Sequence, residues 1–182
     1  MKRSDLEHLI RAAGTIAQDG EIVIIGSQAI LGQYPDAPGI LSVSAEADVF
    51  PLNRPDRADL IDGAIGEGSH FHEEYGYYAQ GVGESTATLP RGWRERLVPI
   101  ENANTAGIKG LCLEVNDLAI SKYIAGRPKD LDFTRELARQ AMTRYDTLVA
   151  RLADTDIAPE NLRELARTRI DRDFGPRARQ RP

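Results

Sequence analysis

The sequence predicts an α+β fold. Short strand patterns occupy its first two thirds and helical patterns its last third, which is the order expected of a sheet with segregated helices. A 41% apolar content over 182 residues is enough for a proper core. No repeat and no long linker divides the chain. The expected organisation is an α/β core over residues 1–115 and a helical portion over 116–182 packed on it, ending in a basic tail.

Taken in order, Ser4-Asp5-Leu6-Glu7 reads as a capping box. Leu6, Leu9, Ile10, Ala13, Ile16 and Ala17 then recur at helical spacing, and Asp19-Gly20 stops the helix. Glu21 to Ile25 is a continuous apolar run, suited to a strand buried on both faces. Gly26-Ser27 follows it directly, and the loop Gln33 to Gly39 (QYPDAPG) holds two prolines. Leu41 to Phe50 alternates as a strand and puts Glu46 and Asp48 on one face. Pro55 to Ile65 is helical, Tyr75 to Val82 strand-like, and Leu97 to Ile100 and Ile108 to Val115 are further strands. Asn116 is the expected N-cap of a helix over Asp117 to Gly126, and Pro128 restarts one that runs to Thr143. Helices over 145–154 and 159–173 complete the prediction.

Composition removes several functional classes. There are 23 basic and 28 acidic residues, a net charge of −5, which excludes a nonspecific nucleic-acid binder. The charge is unevenly placed: from Arg163 to Arg181 seven arginines face three acids, a net of +4 that leaves −9 on residues 1–162. The single cysteine, Cys112, excludes an intramolecular disulfide, and the opening MKRSDLEHLIRAAG is amphipathic; together they predict a cytoplasmic protein. No run approaches the about 20 apolar residues of a membrane helix, so no membrane partner is expected. Three histidines and one cysteine do not make a structural zinc site, and His70 and His72 read as a solvated turn or as neighbouring ligands. P-loop, dinucleotide-binding and nucleophile-elbow motifs are all absent.

The chemistry concentrates between Ile22 and Phe50. A glycine after a buried strand lets a triphosphate approach the backbone, and the Ser27 hydroxyl with the following amides can hold phosphate oxygens. Glu46 and Asp48, at i and i+2 on a strand, have Cα atoms roughly 6.5 Å apart. That spacing lets them share a Mg²⁺ ion, a hard cation that prefers oxygen ligands. Apolar neighbours (Val43, Ala45, Ala47, Val49) make two ionised side chains there costly without a cation. The cation would neutralise phosphates and align a hydroxyl for in-line attack on the α-phosphorus.

IVIIGSQAI followed by SAEADVF resembles the first motif of the nucleotidyltransferase fold, and NDLAISKYIAGRPKDLDF (116–133) is similar to the second signature of the AbiEii/MenT-type nucleotidyltransferases. PRGWRER (90–96) is similar to a motif of their uncharacterised relatives. The resemblance covers about residues 20–140. It implies a polymerase-beta-like small mixed sheet with flanking helices. It implies transfer of a nucleoside monophosphate (NMP) from an NTP, with Mg²⁺ or Mn²⁺, to a hydroxyl of RNA, transfer RNA included, or of protein. It also implies a place in a toxin–antitoxin pair with a cognate antitoxin. By matched position Gly26 and Ser27 contact phosphates, Glu46 and Asp48 ligate metal, and Lys122 steadies the triphosphate. Arg127, Lys129 and Asp130 line the nucleotide or the acceptor hydroxyl, Asp130 acting as base or as the anchor of Lys122. On the residues alone, Asp130 and Asp132 equally suit the positive start of a helix.

Three departures accompany the resemblance. The first acid is glutamate, the Ser27–Glu46 interval is longer than usual, and the third carboxylate common in this fold has only Gln80 or Glu84 as candidates. A catalytically degenerate nucleotide- or RNA-binding module, or a protein-interaction module of the same fold, is the alternative. Trp93 among Arg91, Arg94 and Arg96 either stacks a base or packs under its own loop. Tyr75, Tyr77 and Tyr78 read as strand packing rather than a base platform, and the arginine-rich end as a site for RNA or an acidic partner, or as a solvated helix.

Overall fold

The central strand β1 (Glu21–Ile24) places Ile22, Val23 and Ile24 out of contact with solvent on both faces, as its unbroken apolar run requires. In the computed structural model, which describes residues 1–178 and side chains through Gly175, the chain forms two compact units. One comprises Met1–Thr86 with Arg96–Glu114; the other comprises Ala87–Glu95 with the chain from Val115 onward.

The first unit is a five-stranded mixed sheet in the order β3-β2-β1-β5-β4. Its other strands are β2 (Glu46–Pro51), β3 (Tyr78–Gly81), β4 (Val98–Ile100) and β5 (Lys109–Cys112). β1 pairs antiparallel with β2 (Val23 opposite Phe50) and parallel with β5 (Val23 opposite Leu111). Helix α1 (Arg3–Ala17) buries Leu6, Leu9, Ile10, Ala13 and Ala17, the stripe that its spacing marks out. Helices α2 (Ile30–Gln33), α3 (Ala58–Ile65) and α4 (His70–Tyr75) complete the unit. Cys112 lies wholly inside, and burial pushes its thiol up to about 12, so it packs as an inert hydrophobe.

Local hydrogen bonding moves several boundaries from where the pattern puts them. α1 begins at Arg3, and the Asp5 carboxylate, not that of Glu7, accepts from the Lys2 amide at 2.7 Å. Ser4 therefore lies in the first turn. Glu7 is drawn inward to accept from Asn102 and Asn104, each at 2.8 Å, and pairs with Arg3 at 3.0 Å. The strand expected from Leu41 starts only at Glu46: Gly39–Leu41 is a 3-10 turn after Pro38, and the Ser44 hydroxyl takes the Glu46 amide at 3.1 Å. Tyr75 ends a helix rather than opening a strand, because the Ser69 hydroxyl caps α4 through the His72 amide and Gly76 closes it at φ 74°. His70 and His72 thus belong to α4, not to a turn.

Asp19 ties the α1–β1 turn to the end of β2, accepting from the amides of Glu21, Asn53 and Arg54 at 2.8–3.0 Å and from the Asn53 side chain. Burial alone would raise its carboxyl pKa, but these donors outweigh burial and hold it below the ordinary value; Glu7 is lowered in the same way. A carboxyl with a depressed folded pKa stabilises the fold above its unfolded value and loses that contribution as pH falls through the folded one. The urea midpoint is therefore expected to drop as pH is lowered below about 4. An Asp19→Asn variant, measured alongside, should show a shallower drop.

The second unit contains α5 (Val115–Ala125), α6 (Pro128–Arg139), α7 (Tyr145–Ala153) and α8 (Asn161–Ala178), the last broken at Gly175. α5 is buried nearly all round and packs against the other three helices. It starts at Val115, one residue ahead of the expected cap. Asn116 sits in its first turn, where its side-chain oxygen accepts from the Arg144 amide at 3.2 Å. α6 ends at Arg139, short of Thr143, where Ala141 turns to positive φ. Gly126 ends α5 at φ 64°, and a Cβ there would lie about 2 Å from the Arg169 guanidinium, which donates to the Tyr123 carbonyl at 2.6 Å. Residues 87–95 join this unit through the Pro90–Thr155 bridge and the Arg91 amide on the Asp154 carbonyl at 3.0 Å. Among the described residues no helix is long and apolar enough to cross a membrane.

Candidate functional site

In the first unit the site starts where β1 stops. The Ile25 amide donates to the Asp48 carbonyl at 3.0 Å, extending the β1–β2 ladder by one step. Gly26 is extended (φ −79°, ψ −171°) and leads into a 3-10 turn over Ser27–Ala29, closed by the Ala29 amide on the Gly26 carbonyl at 3.0 Å. A Cβ on Gly26 would lie 2.0 Å from Oδ2 of Asp48. The fold thus brings Gly26 and Asp48 into direct contact, with Ser27 next in line. Only a residue without a side chain fits.

Glu46 and Asp48 are half-buried on β2, while Ala47 and Val49 between and after them are fully enclosed. The acids therefore share the face opposite the α1 core. Parallel pairing with β3 sets Tyr78 beside Glu46 and Gln80 beside Asp48. The Tyr78 hydroxyl is raised above its ordinary value, first by burial and then by the charges of Glu46, Glu67 and Asp48. Its ring lies 4.6 Å from that of His72. Glu84, the other candidate for a third carboxylate, falls in an exposed 3-10 turn beyond β3. Among the described residues no three His, Cys, Asp or Glu side chains form a group able to hold a metal ion. A Gly26→Ala variant should push the Asp48 carboxylate aside, and a misplacement of about an ångström at an active site costs about a hundredfold in rate. Steady-state rates beside thermal midpoints separate this from unfolding.

Two residues here carry signals that the spacing arguments passed over. Gln28, in the turn after Ser27, is fully buried, and neither side-chain Nε2 nor Oε1 has a hydrogen-bond partner. A lone amide inside the apolar stretch Ile24 to Leu31 was the available clue. Tyr78 was grouped with Tyr75 and Tyr77, yet only it flanks the acids. The other two pack with Phe71 around His8, whose ring nitrogen lies 2.9 Å from the Tyr77 hydroxyl.

In the second unit Asp130 is fully buried at the start of α6 and gathers two cations. The Lys122 ammonium on α5 lies 3.2 Å from Oδ1, and Arg127 donates through Nε at 2.6 Å and Nη2 at 3.2 Å. Lys122 also sits 4.6 Å from the Phe133 ring centre, a cation–π contact. Burial would raise the Asp130 carboxyl, but the Arg127 hydrogen bond and the Lys122 charge outweigh it and hold it below the ordinary value. In its contacts Asp130 holds both Lys122 and Arg127. Lys129 is exposed, and Asp132 pairs with Arg135 on the surface.

The remaining candidates are structural in their contacts. Trp93 is buried, with the Arg94 guanidinium 5.3 Å from its ring centre, and Arg91 pairs with Asp156 at 3.0 Å. Of the arginine-rich end, Arg163 donates to carbonyls at the end of α7, Arg167 to Asp171 and Tyr145, Arg169 to the end of α5 and Arg172 to Asp173. Residues 179–182, with the last two arginines, lie outside the described residues, as does the side chain of Arg177.

No curated protein and no solved structure matches the chain. A family model described as nucleotidyltransferase of unknown function, DUF6036, matches residues 4–168. With that match running from the first turn of α1 into α8 and containing the glycine–carboxylate contact at the end of β1, the chain belongs to this family of nucleotidyltransferases.

Proposed function

We propose that this nucleotidyltransferase moves an NMP from an NTP to a hydroxyl of RNA, using a divalent cation held by Glu46 and Asp48. The observation that carries the reading is the Asp48 carboxylate lying against Gly26 at the mouth of the Ser27 turn. On this reading the amides and hydroxyl of the turn take phosphate oxygens, and the carboxylates take the cation that neutralises them. Two carboxylates on one strand face are a hard, anionic donor set, which fits Mg²⁺ or Mn²⁺. When bound, the cation supplies charge neutralisation and alignment at the α-phosphate.

The chain's own residues supply the rest. Gly26 keeps the backbone open to the triphosphate, and Ser27 donates to a phosphate oxygen. As the resemblance implies, Lys122 and Arg127, both held by Asp130, and the exposed Lys129 add positive charge for the nucleotide. The acceptor oxygen bonds to the α-phosphorus, the bond to the β-phosphate oxygen breaks, pyrophosphate leaves, and the hydroxyl proton passes to solvent.

The test is incubation with each α-labelled NTP, Mg²⁺ or Mn²⁺, and total RNA. Labelled RNA that vanishes when the cation is chelated supports the reading. Label confined to protein moves the acceptor to a protein hydroxyl, and no label with any NTP overturns it. The similarity of NDLAISKYIAGRPKDLDF to the AbiEii/MenT-type signature supports a toxin role with a cognate antitoxin; growth arrest on induced expression, absent in an Asp48→Asn variant, tests it. A second reading, nucleotide binding without turnover, is favoured by the absence of a third acid among the described residues. Calorimetry showing tight NTP binding without product would select it.

A further inference from the structure

Helix α4 serves both faces of the edge strand β3. Phe71 and Tyr75 pack with Tyr77 on the side of α1, while the His72 ring lies 4.6 Å from that of Tyr78. Residues in register on parallel strands project to the same side, so Tyr78 shares the face of Glu46 and Asp48. Ala47 and Ala79, between them, turn into the core. The His72 ring is itself held, its Nδ1 accepting from the Gly68 amide at 3.0 Å. A half-buried tyrosine, with a ring fixed against it, thus stands beside the acid pair.

Sheet order says what such a ring can meet. β3, β2 and β1 are neighbours in that order, so Tyr78 lies on one side of the acids and the Gly26–Ser27 turn on the other. In-line displacement sets the attacking hydroxyl opposite the departing pyrophosphate. With the triphosphate at the turn and the cation on the acids, the acceptor arrives from the side of Tyr78. The Tyr78 hydroxyl also feels the charges of Glu46, Glu67 and Asp48. Glu67 is on the surface, so a phosphate drawn there meets a negative charge whatever the acid pair holds. An uncharged base meets no such penalty, and every base has a face that stacks on an aromatic ring.

We propose that Tyr78, with His72 packed against it, stacks the base of the RNA nucleoside whose hydroxyl accepts the NMP. The inference rests on the reading of the Ser27 turn as the place of the triphosphate. It makes Tyr78 a determinant of acceptor affinity and not of NTP affinity, unlike the two other tyrosines of its run. Stacking tolerates any base, so discrimination among RNA ends is expected to be weak.

The experiment is equilibrium binding of a short fluorescent single-stranded RNA with a free 3′ hydroxyl to the full chain, with Mg²⁺ and without NTP. Tyr78→Ile should weaken RNA binding about tenfold or more, while Tyr78→Phe and Tyr78→Trp keep it, since the ring and not the hydroxyl is used. Calorimetry with a non-hydrolysable NTP analogue should give the wild-type affinity in every variant. A β-branched residue suits an edge strand, and circular dichroism checks the fold. Independently of Tyr78→Ile, RNA should quench the added indole of Tyr78→Trp beyond any change seen from Trp93 in wild type. RNA binding by Tyr78→Ile equal to wild type, no RNA binding by wild type, or an NTP affinity that falls alongside would overturn the inference and leave the cation and triphosphate assignments standing. RNA binding that depends on Tyr78 in a protein transferring no label with any NTP would overturn the transferase reading instead.

Discussion

An Asp48→Asn variant should lose at least about a hundredfold in NMP transfer, since even residues one step removed from a metal cost about 10–100-fold when replaced. The substitution keeps the shape of the side chain and its approach to Gly26, and removes only the charge. The backbone pairing of β2 is left in place, so thermal midpoints measured beside the rates show how much of any loss is unfolding. Glu46→Gln should behave alike, with a smaller loss if the longer arm of glutamate lies farther from the phosphates. Transfer rates and unfolding curves measured on the same samples give the answer. Wild-type turnover by Asp48→Asn would remove Asp48 from the catalytic site.

The largest stability effect is expected at Arg151. Its Nη1 lies 2.9 Å from Oδ1 of Asp117, whose side chain has no solvent exposure. The pair joins the first turn of α5 to the last turn of α7, so each charge also meets the helix end that favours it. Arg151→Met removes one partner and leaves a buried carboxylate with less compensation. The cost should be about 3 kcal/mol, or a fall of about 6–12 °C in Tm. A double variant, Asp117→Leu with Arg151→Met, should recover most of the loss, because an apolar pair of similar volume needs no charge compensation. Urea unfolding of the three proteins measures it. Equal stability of the single and double variants would mean that the cost lies in packing.

What could be read from the sequence was whatever rests on side-chain periodicity. The run from Glu21 to Ile25, the stripe on α1 and the i, i+2 acids appear where the pattern puts them, because burial acts on residue type and spacing alone. Misplaced elements were those decided by hydrogen bonds between particular side chains and backbone. Glu7, expected at a cap, meets Asn102 and Asn104 almost a hundred residues away. Ser44 cuts β2 short by taking the Glu46 amide, and Ser69 with Gly76 turns a run of aromatics into α4. At the candidate site the residue types were legible but not their company. Nothing in the spacing said that the Asp48 carboxylate would rest on Gly26, or that the Gln28 side chain, two residues on, would be buried without a hydrogen-bond partner.

The arginine-rich end has a consequence for how the chain tolerates editing. Arg169 closes the exposed carbonyls of the helix that carries Lys122, and Arg163 closes those of α7, while Ala166 and Ile170 on the same helix are sealed from solvent. A chain shortened at residue 163 would lose two helix caps and part of a core together. Any loss of nucleotide or partner binding in it would report unfolding as readily as recognition. Charge reversal at single positions meets the same difficulty, since even the exposed Arg172 pairs at 2.9 Å with Asp173, whose side chain is buried. What looks in one dimension like a detachable arm is, through Arg163, Ala166, Arg169 and Ile170, part of the packing of its unit.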